Sequence, residues 1–305
     1  MPLLSYTDAS DELLTLFNSE KESVLARYYE PEPGLFIAES AKVTLRAVQA
    51  GYELLSMLVE DSQLNREAQD VITRFPDIPT YHAPSGEFRE ISGYPMTRGV
   101  LALFRRKVKS HPEPCTYRSC RPDTAQSVLQ SQTAEFSAPG ISSADHACHD
   151  EAFRRIAVLV EVGNPANVGA IFRNAAALGT DSILLSKGCC DPLSRRCLRV
   201  SMGCVFQVHW TMTGLSGSEI AAMLHAQHYH TAALALSADS ISITDPVLKK
   251  SDRLALFLGN EGNGLPKETI DSCDSVVLIP MNEGVDSLNV AAASAVAFWE
   301  LRPHP

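Results

Sequence analysis

The chain has 305 residues, 45% of them apolar, and a formal net charge of −10. That size allows about two domains with ordinary cores, and the negative charge argues against a protein that coats nucleic acid non-specifically, so no DNA partner is expected. No apolar run approaches the roughly 20 residues of a membrane span, and the start, MPLLSYTDASDELL, lacks a basic segment followed by an apolar core. A cytoplasmic protein without a membrane partner is expected.

Residues 1–109 alternate helical and strand patterns. DELLTLFNSEKESVLARYY, from Asp11, has apolar residues at helical spacing. LFIAES (Leu35 to Ser40) reads as a buried strand and Ala41 to Ala50 as a helix stopped by Gly51. LLSMLVE (Leu54 to Glu60) is a second strand, Leu64 to Arg74 a helix and GVLALF (Gly99 to Phe104) a third strand. Together they predict a small α/β domain whose end is basic, at Arg98, Arg105, Arg106, Lys107 and Lys109. A solvated surface run is the plain alternative for these cations.

Residues 110–150 are rich in Ser, Pro, Ala and Thr and show no sustained period. They read as a linker or surface excursion at a domain boundary. Cys115 and Cys120, with His146, Cys148 and His149, suggest zinc, but the first pair is spaced more widely than the two to four residues of a usual knuckle. No metal is expected, and the eight cysteines read as free thiols.

Residues 151–305 turn strongly βα. Strands are predicted at IAVLVEV, SILLS, FQVHW, TAALAL, LALFLG and SVVLIP, with helices over Asn167–Leu178, Ser218–His228, Pro266–Ser272 and Leu288–Leu301. Continuous apolar strands alternating with helices predict a parallel sheet covered on both faces.

Polar clusters follow three of these strands. In GNPANVGAIFRNAAALG, from Gly163, Asn167 is a good helix cap and Gly169 permits close backbone approach. Arg173 stands six residues on, among core-like neighbours, where an arginine usually meets an anion. GNEGNGLP, from Gly259, has three glycines and one carboxylate, Glu261, but neither the Lys nor the Ser or Thr of a phosphate loop. Its exposed backbone suits an adenine or ribose edge. The third loop holds Asp286, Ser287 and Asn289; a cap needs one of them, so the remainder invites a functional reading.

The three clusters, in this order, resemble the motifs of the SpoU (TrmH) family of RNA ribose methyltransferases within the SPOUT superfamily. The first is carried by Asn167, Gly169 and Arg173, the second by Gly259, Glu261 and Gly264, and the third by IPM (Ile279 to Met281) and SLNV (Ser287 to Val290). LRVSMG, at Arg199, Ser201 and Gly203, is also similar. The front segment resembles the ribosomal-protein-like RNA-binding domain of many members, with Ser40 where a Gly is usual.

That resemblance implies a deep trefoil knot formed by the terminal helix, a rare topology, and a homodimer. It implies S-adenosylmethionine as methyl donor, held by Gly259, Ile279, Met281 and Leu288, with Leu236 or a neighbour on the preceding strand. It implies 2′-O-methylation of a ribose in structured RNA, with Arg98, Arg105, Arg106, Lys107 and Arg199 as RNA contacts. Ribosomal RNA is favoured over transfer RNA, and a non-catalytic RNA-binding relative is a further alternative. Arg173 is expected to fix a phosphate and stabilise the developing alkoxide rather than lose a proton. Asn167, Ser287 and Asn289 would orient Arg173 and the ribose, and Glu261 would pair with Arg173 or support its loop.

Overall fold

A computed structural model of the chain describes residues 3–18, 25–26, 34–64, 66–96, 99–107, 153–284 and 287–302. The front unit contains β1 (Leu4–Ser5), α1 (Asp11–Leu16), β2 (Leu35–Glu39), α2 (Ala41–Gln49), β3 (Glu53–Glu60), α3 (Glu67–Arg74), β4 (Thr80–Ala83), α4 (Ser85–Ser92) and β5 (Val100–Arg105). Its mixed sheet has the order β1-β4-β3-β5-β2. The three predicted strands are present as β2, β3 and β5, with the helix between the first two as α2; β2, at the sheet edge, is buried along its whole length. Ser40 takes φ 81°, the left-handed region that favours Gly, and its N–H donates to Val100 O at 2.9 Å. The helix predicted from Asp11 ends at Leu16 among the described residues. Strands β1 and β4 and helix α4 were not anticipated: two and four residues carry no readable period, and α4 buries only Phe88 and Ser92.

The second unit runs through β6 (Arg155–Leu159), α5 (Pro165–Leu178), β7 (Ser182–Leu185), α6 (Arg195–Val200), β8 (His209–Met212), α7 (Gly217–His225) and β9 (His230–Leu234). It continues with β10 (Ile241–Ser242), α8 (Pro246–Lys250), β11 (Leu254–Leu258), α9 (Lys267–Asp271), β12 (Ser275–Leu278) and α10 (Val290–Glu300). All neighbouring strands are parallel, in the order β10-β12-β9-β11-β6-β7-β8. The buried runs LALFL and SILL are the continuous apolar strands such a sheet requires. Helix α5 starts earlier than predicted: Asn164, not Asn167, is its cap, accepting from Ala166 N at 2.9 Å, and Pro165 takes the first turn, where its missing N–H costs nothing. Among the described residues no helix is long and apolar enough to cross a membrane.

Residues 110–150, with Cys115, Cys120, His146, Cys148 and His149, lie outside the described residues. The sheets on either side of that stretch share one core. Phe36, Ala38 and Phe104 of the front sheet pack in the same cluster as Cys197, Leu198 and Val205 beyond it. Polar contacts reinforce the junction: Arg46 Nη1 donates to Met202 O at 2.6 Å, and Arg106 Nη2 meets Asp191 Oδ2 at 2.6 Å.

Candidate active site

Sheet order assembles the site. The first polar loop follows β6 and the second follows its neighbour β11, while the third follows β12, separated from β11 by β9. All strands are parallel, so all three loops emerge at the same carboxyl edge, where open α/β sheets bind ligands.

Asn167 joins the three clusters. It is buried on α5, and its Nδ2 donates to Glu261 Oε1 in a short contact. Its Oδ1 accepts from Asn289 Nδ2 at 3.3 Å. Asn289 Oδ1 in turn accepts Ala291 N–H at 2.9 Å and caps α10. Of the two roles expected for Glu261, pairing with Arg173 is not formed; the carboxylate is held by Asn167 instead. Asn289 is the cap, which leaves Ser287 exposed and without a hydrogen bond among the described residues. Asp286 lies outside them.

Arg173 is exposed, although Phe172 and Ala175 beside it are buried. Residues 172 and 175 share a helix face and 173 is turned about 100° away from the first of them. Arg173 makes no hydrogen bond or ion pair among the described residues, so its guanidinium has no acceptor from Glu261 or any other described carboxylate. Its neighbour Asn174 was missed by the sequence reading. Asn174 Nδ2 donates to Ala291 O at 2.8 Å and to Ser294 Oγ at 2.9 Å, tying α5 to α10. The available signal was a pair of polar residues, Asn174 and Ser294, inside two Ala-rich helices.

The expected donor-site residues fall at three adjacent strand ends. Leu236 lies just beyond β9, Gly259 ends β11 and Ile279 ends β12, with Met281 and Leu288 further along that loop. A Cβ on Gly259 would lie 2.3 Å from Gly264 C and 2.5 Å from Leu265 N, so only Gly fits. The loop folds back on itself through the Asn260–Gly264 bridge, and Asn260 Oδ1 accepts from Gly262 N and Asn263 N. Leu236 is 59% exposed and Leu288 41%, while Ile279 packs on the core. The exposed apolar side chains of Leu236 and Leu288, the backbone polar groups of the β11 loop, and a stretch from Gly259 to Gly264 without a cation suit a neutral or sulfonium-bearing nucleoside better than a phosphate.

Gly169 serves packing between helices. A Cβ there would lie 2.6 Å from Cys197 O and 3.1 Å from Val200 Cβ, so α5 meets the backbone of α6 directly.

The expected RNA contacts are scattered, and those described are engaged. Arg105 pairs with Glu53 at 2.8 Å. Arg106 also donates to Leu35 O at 2.9 Å, and Lys107 Nζ donates to Ala50 O at 2.6 Å. Arg199 reaches Glu39 Oε2 and Tyr94 OH, each at 3.2 Å. Arg98 lies outside the described residues. A run in sequence does not show these partners, which sit far away along the chain.

Residues 154–299 match the model of the SpoU rRNA Methylase family. An uncharacterised tRNA/rRNA methyltransferase of Mycobacterium bovis is 32% identical over 267 residues, covering 87% of this chain and 80% of that protein. The Escherichia coli 23S rRNA (guanosine-2′-O-)-methyltransferase RlmB is 31% identical over 144 residues, 47% of this chain and 57% of that protein. A putative RNA methyltransferase of the TrmH family from Porphyromonas gingivalis shares the fold, with a TM-score of 0.67 at 21% identity, over 96% of this chain and 98% of that one.

Proposed function

The chain belongs to the SpoU rRNA methylase family, and from that premise we propose that it transfers a methyl group from S-adenosylmethionine to a ribose 2′-hydroxyl in structured RNA, with ribosomal RNA favoured over transfer RNA. The observation that carries the reading is the hydrogen-bonded line Glu261–Asn167–Asn289, which joins the three motif loops, with Arg173 exposed on the same helix as Asn167 and without a partner among the described residues.

S-adenosylmethionine, when bound, supplies an electrophilic methyl group. Leu236, Gly259, Ile279, Met281 and Leu288 would hold it, through backbone groups of the β11 and β12 loops and the apolar cover of the two exposed leucines. The rest falls to the chain's own residues. Arg173 remains a cation; its planar fork suits a phosphate beside the reacting ribose and stabilises negative charge as the hydroxyl is deprotonated. Water or that phosphate takes the proton. Asn167, fixed by Glu261 on one side and Asn289 on the other, keeps its loop in register with the other two. Ser287, exposed and without a hydrogen bond among the described residues, offers its hydroxyl to the ribose.

The finer assignments are part of the same proposal. The front unit is the RNA-reading domain, and α10 passes through an earlier loop as the family's trefoil knot; the close packing of α10 on α5 through Asn174 supports the latter. The chain forms a homodimer. Supporting this are the apolar residues that α5 and α10 leave exposed, Ala176, Ala177, Ala292, Val296 and Trp299, the last lying under the Arg302 guanidinium. The test is transfer of labelled methyl to purified ribosomal and transfer RNA, followed by mapping of the modified ribose. Transfer to transfer RNA alone would favour the second substrate class.

A further inference from the structure

Glu39, at the end of β2, and Arg195, at the start of α6, are each 3% exposed and form an ion pair at 2.9 Å. Arg195 Nη1 also donates to Phe17 O at 2.9 Å. Arg199 Nη1 reaches the second Glu39 oxygen, and the Tyr94 hydroxyl donates to the first. Both guanidiniums lie over the Tyr94 ring, 5.4 and 5.6 Å from its centroid. Burial raises the Tyr94 hydroxyl to about 12, against the pull of Arg195 and with Glu39 adding to the rise, so it stays a donor at working pH.

A buried ion pair is a weak source of stability, because apolar residues of the same volume often serve as well; fixing register is its better-attested use. Here the register is that of α6. Its opposite side lies against α5 at Gly169, where no side chain fits between Cys197 O and the helix. Gly169 is two residues from Asn167 and four from Arg173. A continuous contact path therefore runs from the front sheet through α6 to the helix that carries both groups. We propose that Glu39, Arg195, Arg199 and Tyr94 are positioning residues for methyl transfer: they lock the front sheet to α6, and α6 sets the placement of Asn167 and Arg173. This rests on the reading of the site as a methyltransferase centre. Two of the three arginines of α6, Arg195 and Arg199, thus act inward on the catalytic helix as well as, for Arg199, facing solvent.

The test uses the full chain. Glu39→Gln should lower the single-turnover rate at saturating RNA and donor by about 10-fold or more, since a misplacement of 1 Å is enough to cost about 100-fold. Donor affinity should stay within about twofold, because the donor loops follow β9, β11 and β12 and, among the described residues, share no hydrogen bond or ion pair with the cluster. Val59→Ala, in a separate front-sheet cluster with Ala68 and Val100, lowers stability without touching the path and should leave the rate unchanged. If Glu39→Gln does not fold, Tyr94→Phe and Arg199→Gln keep the buried pair and should show the same split at smaller size. Amide exchange gives a readout free of activity: the variants should loosen residues 165–172 and 195–200 and leave 290–300 as protected as before. An unchanged rate with unchanged exchange at 165–172, or an equal rate loss in Val59→Ala, overturns the proposal. A wild-type protein that transfers no methyl overturns the functional reading instead, and exchange then decides the coupling alone.

Discussion

Asn167 and Asn289, 122 residues apart in the chain, share a 3.3 Å side-chain hydrogen bond, and the other end of the Asn167 amide is held by Glu261. Through that pair the first and third loops are fixed to each other and to the second. Replacing Asn167 with Ala deletes both contacts. The expected stability loss is about 1 kcal/mol for the bond to Asn289 and about 1.5–3 kcal/mol for the bond to the Glu261 carboxylate, readable in a melt, while methyl transfer should fall by roughly 100-fold from loss of loop register. Transfer at the wild-type rate with the melting loss present would show the network to be structural only.

Arg173→Ala should abolish transfer and leave stability within about 0.5 kcal/mol, as for an exposed residue with no partner among the described residues. Arg173→Lys should also fail, because an ammonium cannot reproduce a two-pronged contact to phosphate. A Lys variant close to wild type in a single-turnover assay would reduce Arg173 to a simple positive charge.

The closed turn after β11 yields a sharper stability prediction. A methyl group on Gly259 would lie inside the Gly264 backbone, so Gly259→Ala must open the loop. Overpacking of this kind costs about 1–3 kcal/mol. Calorimetry should show donor binding lost, and retained affinity would remove this loop from the donor site.

Much of this was legible in the sequence. The parallel strands announced themselves as continuous apolar runs, and the three polar loops after them carried the residues that meet in space. What could not be read was pairing at long range. Arg195 and Glu39 are 156 residues apart, and RRCLRV has neither the length nor the apolar stripe of a recognisable helix. Arg105, Arg106 and Lys107 looked like one basic surface, yet each is turned to its own partner in Glu53, Asp191 or Ala50. The cap of α5 was misplaced by three residues because Asn164 and Asn167 are chemically alike, and only the position of Pro165 decides between them.

Ligand linkage separates the proposed cofactor from other nucleotides. S-adenosylmethionine at a hundred times its dissociation constant should add about 2.7 kcal/mol to unfolding, whereas NAD should not shift the melt. A shift with NAD alone contradicts the donor assignment.

At the opposite edge of the sheet, Asp274 links β12 to β9. Burial opposes its ionisation, but hydrogen bonds from Thr231 N and Oγ1, with His225 and His230 nearby, outweigh this and hold its pKa below the ordinary 3.8. A carboxylate lowered on folding stabilises above its unfolded value and loses that contribution as pH falls through the folded one. Wild type should therefore melt above Asp274→Asn at pH 7, and the gap should close only below 3.8. A gap of constant size down to strong acid would mean that the charge is not what matters.

The central claim is that the Asn167 network and Arg173 form a ribose methylation centre. Its most direct test is a single-turnover reaction of the full chain with labelled S-adenosylmethionine and ribosomal RNA, followed by mapping of the labelled nucleotide, run beside Arg173→Ala. The account predicts one 2′-O-methyl ribose with the wild type and none with the variant. A label found on a base, or equal labelling by both proteins, would contradict it.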